Sequence, residues 1–125
     1  MQFWHSLRHE YDREMAKDRR AFGAAFASGT AGDQYDNIMS FYDTLGYLVR
    51  SGRIDRDVFG ETWSYDFEAY FRACKPFMDE DRAEDPNHTV WQNVYDLARK
   101  YHDDPLLKRP EALKEFFEEE QNLPE

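Results

Sequence analysis

The sequence has a single cysteine, Cys74, so no disulfide can form within the chain. Because disulfides are typical of oxidising compartments, a lone cysteine favours a reducing one, and we expect a cytoplasmic protein. No run of about 18 apolar residues is present, which predicts that no helix spans a membrane. The N-terminus also lacks the pattern of a secretory signal peptide.

Strand-like patterns are equally scarce. No long stretch alternates polar and apolar residues with a period of two, as the strands of a half-buried sheet would. Aromatic residues, by contrast, make up 17 % of the chain and recur at helical spacing. The sequence therefore predicts one all-α domain over residues 1–125, a compact helical bundle with an aromatic core.

The clearest pattern is a helical hairpin between Ile38 and Phe77. Apolar residues of its first helix recur at steps of three and four, namely Ile38, Phe41, Tyr42, Leu45, Leu48 and Val49. Gly46 lowers helix propensity there by about 1 kcal/mol relative to alanine, which predicts that another helix crosses close to the backbone. Gly52 can end this helix in the left-handed conformation, and Asp55 can cap the next one.

Four main helices and a short C-terminal helix are predicted. Their ranges are about 3–27, 38–50, 55–77 and 86–101, with the short helix starting at 110. Pro86 and Pro110 suit the first turn of a helix, where the missing N–H has no intrahelical partner. Two acidic segments are predicted to lie outside the helices, residues 79–85 as a connector and residues 118–125 as a frayed tail.

One stretch also resembles a known family. It reads Phe41-Tyr42-x-x-Leu45-Gly46-x-Leu48-Val49-Arg50-x-Gly52-x-Ile54-Asp55 and is followed later by Trp91 and Tyr95-Asp96-Leu97-Ala98. This pattern is similar to a bacterial and phage family of unknown function, the one numbered 4760, over about residues 35–101. The resemblance implies an all-helical domain, often found behind a membrane anchor in longer relatives. It implies no activity and no catalytic residues.

The formal net charge of −10 is unevenly distributed. Acidic residues outnumber basic ones by eight to three in residues 58–85 and by six to one in residues 111–125. Such a surface repels nucleic acid, so we expect no direct nucleic-acid binding, and it attracts a protein with a basic surface. The predicted interaction residues are Asp79, Glu80, Asp81, Glu84 and Asp85. Phe3 and Trp4 are the predicted apolar contact, because their rings are expected to remain uncovered.

A metal site is one catalytic hypothesis. His5, His9 and Asp12 share one helix face at a spacing that metal ligands use. The glutamate of the zinc-protease pattern is absent, however, and no second cluster completes a coordination shell. The alternative is a pair of solvent-exposed histidines on a charged helix.

Two further residues have a catalytic interpretation. Asp66 lies between Trp63 and Tyr70, where a carboxyl group with a raised pKa would be a general acid, or where it would pair with an arginine or a tyrosine. Cys74 lies in an apolar stripe, and a nucleophilic role would require His88 or His102 nearby.

No phosphate-binding glycine loop, zinc-type cysteine pair or nucleophile elbow occurs. The sequence favours a non-enzymatic protein-interaction module without a cofactor. An acidic, phage-type inhibitor that occupies a basic nucleic-acid-binding surface of a host defence protein is the alternative. A metal-dependent enzyme is a weaker one.

Overall fold

The computed structural model describes residues 2–101 and 104–124, with side chains described from residue 6 onward. These residues form seven α-helices and no strand. The helices are α1 (Gln2–Glu14), α2 (Ala16–Ser28), α3 (Tyr35–Arg50), α4 (Arg56–Thr62), α5 (Ser64–Glu84), α6 (Gln92–Ala98) and α7 (Ala112–Gln121), with 3-10 turns at Ala31–Asp33 and Pro105–Lys108. The predicted all-α fold is confirmed, whereas the count of four main helices and a short one is wrong.

The predicted N-terminal helix is divided at Met15. There φ is −89° and ψ is −2°, which departs from the helical ψ of about −42°. The two halves then pack against different partners. In α1, the Tyr11 ring stacks on Phe41 of α3 at 4.5 Å, whereas in α2 the Phe26 ring lies 4.5 Å from Phe117 of α7. The break allows each half to bury its own aromatic face.

The second helix of the predicted hairpin is also divided, at Trp63. Asp55 caps α4 as predicted, since its carboxylate accepts hydrogen bonds from the backbone N–H groups of Asp57 and Val58. At the break, the carbonyl oxygen of Thr62 accepts a hydrogen bond from the Arg8 guanidinium. A side chain of α1 thus satisfies a carbonyl group at the end of α4.

The predicted connector 79–85 is helical as far as Glu84, because α5 continues beyond Phe77. The helix ends at Asp85, whose carboxylate accepts hydrogen bonds from the backbone N–H groups of Asn87, Thr89 and Val90. This turn occupies the residues that were predicted to start the next helix at Pro86. Helix α6 therefore begins only at Gln92.

The predicted close crossing at Gly46 is confirmed. A Cβ atom at this position would lie 2.6 Å from the carbonyl oxygen of Asn93, so α3 and α6 touch through their backbones. On the preceding turn of α3, Asp43 accepts a hydrogen bond of 3.1 Å from the backbone N–H of Val94. This contact caps the first turn of α6 and fixes it against α3.

The core is rich in aromatic rings, as predicted. Among its fully buried side chains are Trp63, Tyr42, Tyr70, Phe22, Phe59, Phe67 and Phe117. Helix α7 completes this core, because Phe117 packs on both Phe22 and Tyr70 at 5.1 Å. The predicted fraying from residue 118 is therefore wrong for residues 118–121, which are helical, and Glu120 is only 4 % exposed.

Candidate functional site

The predicted interaction residues lie on the last turns of α5, which we call the acidic helix end (residues 79–85). Asp79 accepts a hydrogen bond from the Lys75 ammonium at 2.7 Å and another from the Tyr95 hydroxyl. These two bonds hold the pKa of Asp79 below its usual value. The carboxylate is therefore already paired within the chain.

Asp81 and Asp85 also have internal partners. Asp81 accepts hydrogen bonds from the Tyr35 hydroxyl and from the Trp91 indole N–H, the latter at 3.1 Å. The backbone N–H groups that Asp85 binds, first of all that of Thr89, lower its pKa. Both residues anchor the loop that follows α5.

Glu80 and Glu84 differ from these three aspartates. Both are exposed, and neither pairs with a described residue. They lie one helical turn apart, which corresponds to about 6 Å along the helix axis. Of the five predicted acidic contacts, these two carry the charge that is available to a partner. The side chains of Phe3 and Trp4 lie outside the described residues.

Asp66 belongs to a cluster of charges between α1, α2 and α5. Its carboxylate lies 2.8 Å from the Arg8 guanidinium and 3.8 Å from that of Arg19. Burial raises the pKa of Asp66, and the two arginines partly offset this effect. The structure thus places Asp66 in ion pairs with arginine, the second of the two interpretations that the sequence left open.

The centre of this cluster is the buried pair of Arg19 and Glu120. Two parallel hydrogen bonds of 2.8 Å join the guanidinium to the carboxylate, and Arg19 also binds Asp12 at 2.9 Å. The Tyr70 hydroxyl donates a further bond of 2.6 Å to Glu120. Each charged group in the cluster has an opposite charge beside it, so the cluster has the composition of a structural network.

The other catalytic hypotheses find little support in the geometry. Of the three predicted metal ligands, Asp12 forms ion pairs with Arg8 and Arg19. His9 is exposed, and the side chain of His5 lies outside the described residues. No group of three metal-binding side chains occurs among the residues described.

Cys74 is fully buried, and burial raises the pKa of its thiol, which favours the unreactive neutral form. His88 contacts the backbone carbonyl of Arg82 through Nδ1, and His102 lies outside the described residues.

A cleft that the sequence did not predict lies between α3, α4 and α6. Its volume is about 350 Å³, and Gly46, Val49 and Leu97 supply its apolar part. Four cationic side chains line it as well, Arg50, Arg56, Arg99 and Lys100, together with one carboxylate, Asp96. We call this site the basic cleft.

Most of these cations lack an internal counter-ion. Asp96 pairs with Arg99 at 3.0 Å. Arg50, Arg56 and Lys100 form no ion pair with any described residue, and the Arg50 guanidinium lies 5.7 Å from the centre of the Tyr47 ring. Folding thus concentrates positive charge on one surface of an acidic protein.

A family model described as a domain of unknown function (DUF4760) matches residues 2–101. The chain belongs to this family. The match confirms the resemblance in the hairpin sequence and extends it to the N-terminal helices. No curated protein and no solved structure matches the chain.

The part of the DUF4760 domain that the structure describes contains no helix long and apolar enough to cross a membrane. The basic cleft lies within the matched residues, as does the acidic helix end. Helix α7, which supplies Glu120, lies beyond them.

The sequence contained weak signals for the pair of Arg19 and Glu120 and for the basic cleft. Arg19 stands three residues before Phe22 and four after Met15, so it occupies an apolar stripe, which is unusual for an unpaired arginine. Glu120 follows Phe116 by four residues on the same helix face. For the basic cleft, the sequence places only Arg50 and Arg56 near each other, because Arg99 and Lys100 come to the site through the fold.

Proposed function

We propose that this DUF4760 domain is a non-enzymatic interaction module that presents the acidic helix end to a protein with a basic surface. The observation that carries the proposal is the rigid display of Glu80 and Glu84. Both glutamates are exposed on a helix, whereas Asp79 and Asp81 hold that helix to other parts of the chain.

Rigidity favours binding because less conformational entropy is lost on association. A side chain that becomes immobile at an interface costs about 0.5–1.5 kcal/mol, and ordering a flexible segment costs more. Asp79 and Asp81 fix the backbone of the acidic helix end through Tyr95, Tyr35 and Trp91. A partner therefore meets two charges whose backbone positions are already set.

The experiment compares the parent protein with the variant Glu80→Gln/Glu84→Gln in pull-downs at low and moderate salt. We expect the variant to lose a captured partner, and the parent to lose it as salt rises, because salt screens exposed charges. The matched control is Glu61→Gln/Glu111→Gln, which removes the same charge from exposed positions elsewhere. Equal capture by all three proteins at both salts would reject the proposal.

The rigid helix also favours a second candidate, an acidic inhibitor that occupies a basic nucleic-acid-binding surface. A protein that mimics the phosphate backbone of a nucleic acid requires carboxylates on a rigid surface. Glu118 and Glu119 are further exposed carboxylates, and they lie on another helix, α7. The test is displacement of labelled DNA from a basic nucleic-acid-binding protein. A Glu80→Gln/Glu84→Gln variant that displaces DNA as well as the parent would argue against this candidate.

A further inference from the structure

We propose that the basic cleft binds a small phosphorylated organic molecule of about nucleotide size. The cleft combines three cations that have no internal counter-ion with an apolar part formed by Val49 and Leu97. This combination suits a ligand with an anionic group at one end and an apolar or planar body at the other. Ligand sites commonly pair an apolar lining with a few charged groups in this way.

The charge balance of the cleft favours a dianion. Four cations face one carboxylate, Asp96. Helices α3 and α6 end beside the cleft, and each C-terminus contributes about half a negative charge. Counting only the lining residues and these two helix ends, about two positive charges remain, which match the charge of a phosphate monoester better than that of a single carboxylate. The guanidinium groups of Arg50 and Arg56 can each form two parallel hydrogen bonds with phosphate oxygens.

The walls of the cleft are fixed by contacts outside it. Gly46 and Asp43 hold α3 against α6. Tyr101 donates a hydrogen bond of 2.9 Å to the carbonyl oxygen of Arg56, which ties the chain after α6 to the start of α4. The site is therefore preformed, and its ligand need not order the protein on binding.

Size and charge argue against a long polyanion. The cleft of about 350 Å³ is near the lower end of small-ligand sites, which span about 300–1,000 Å³. The protein as a whole carries a charge of −10, which repels an extended nucleic acid at distances beyond the cleft. Acidic residues also border the neighbouring depression, where Asp55 and Asp57 lie beside Arg50 and Arg56. A compact ligand in the cleft does not contact these two carboxylates, whereas an extended polyanion would.

Isothermal titration calorimetry tests the proposal, with adenosine monophosphate as the probe. We expect one bound molecule per chain and weaker binding at higher salt, whereas adenosine without its phosphate does not bind. Inorganic phosphate should compete, since it offers the same charged group. The double variant Arg50→Gln/Arg56→Gln should weaken binding by about tenfold or more, because each lost charge-assisted hydrogen bond reduces affinity.

The matched control is Arg13→Gln/Arg109→Gln, which removes two exposed arginines from other surfaces and should leave binding unchanged. Circular dichroism checks that each variant folds. A dissociation constant weaker than about 1 mM for the parent, or equal binding by the parent and the Arg50/Arg56 variant, would overturn the proposal. Binding of a single-stranded oligonucleotide or of a polyglutamate peptide, without binding of the nucleotide, would also overturn it. Glu80→Gln/Glu84→Gln should bind the nucleotide normally, so this proposal and the acidic helix end are tested separately.

Discussion

The buried pair of Arg19 and Glu120 provides the sharpest test of the fold, because the sequence predicted a frayed tail at Glu120. Arg19 is 6 % exposed and Glu120 is 4 % exposed. Their side chains share two hydrogen bonds of 2.8 Å. Removing one partner of a buried ion pair destabilises a protein by about 3–5 kcal/mol, since the other charge remains buried without compensation. Arg19 retains Asp12 at 2.9 Å, so we expect Glu120→Ala to cost about 3 kcal/mol.

The measurement is urea unfolding followed by circular dichroism at the helical band. The matched control is Glu119→Ala, which removes the same group from an exposed position one residue away and should change stability by no more than about 0.5 kcal/mol. Even if the exposed Glu119 carboxylate paired with a cation at the surface, such an ion pair would contribute only about 0–1 kcal/mol. If Glu120→Ala and Glu119→Ala proved equally mild, the pair would not be formed and the tail would be frayed after all.

A double variant distinguishes two causes of lost stability: the buried charge that is left without a partner, and the removal of a side chain from the core. Replacing a buried ion pair by apolar residues of similar volume is often neutral or stabilising, because neither charge is then buried. Arg19→Met/Glu120→Leu should therefore be more stable than Glu120→Ala, although it carries one more substitution. A double variant that lost more stability than Glu120→Ala would refute the idea that an uncompensated charge causes the loss.

Three other contacts give further expected outcomes. Gly46→Ala should lower the free energy of unfolding by about 1–3 kcal/mol in urea, because its Cβ would lie 2.6 Å from the Asn93 carbonyl oxygen; unchanged stability would contradict the crossing. Asp81→Ala should cost about 1–3 kcal/mol by removing the acceptor of the Trp91 indole N–H, and a loss below about 0.5 kcal/mol would show that this bond is dispensable. The backbone hydrogen bonds lower the pKa of Asp85 from 3.8. The stability that the Asp85 carboxylate contributes is therefore complete above pH 3.8 and is lost as the pH falls through the lowered pKa. In an acid titration, the Asp85→Asn variant should accordingly lose less stability than the parent.

The features that the sequence predicted correctly depend on neighbours along the chain. Asp55 caps α4 because its side chain reaches the N–H groups two and three residues later. Gly52 adopts a φ of +81°, a conformation that a glycine reaches without steric cost. The close approach of another helix to Gly46 was also predictable, since a glycine in an apolar helical stripe is destabilising unless something packs against it.

The features that were missed depend on residues far apart in the sequence. Arg19 and Glu120 are separated by 101 positions, so neither the stripe of α2 nor the acidic tail indicates the other partner. The break at Met15 follows from the different partners of α1 and α2, which periodicity within one helix cannot specify. The acidic segment 79–85 had the composition of a solvated loop, but Tyr35 and Trp91 approach it only in the folded chain.

Helix α7 packs against the region that matches the family model, although it lies outside that region. The DUF4760 match ends at residue 101, yet the backbone of α7 touches α2 so closely that a Cβ atom at Gly23 would lie 2.7 Å from the carbonyl oxygen of Phe117. Without α7, Arg19 would keep only Asp12 and the more distant Asp66, and the rings that Phe117 covers would face water. A buried cation without sufficient compensation is unstable. We therefore expect α7 to belong to the same folding unit as residues 2–101, although it lies outside the residues that match the family model.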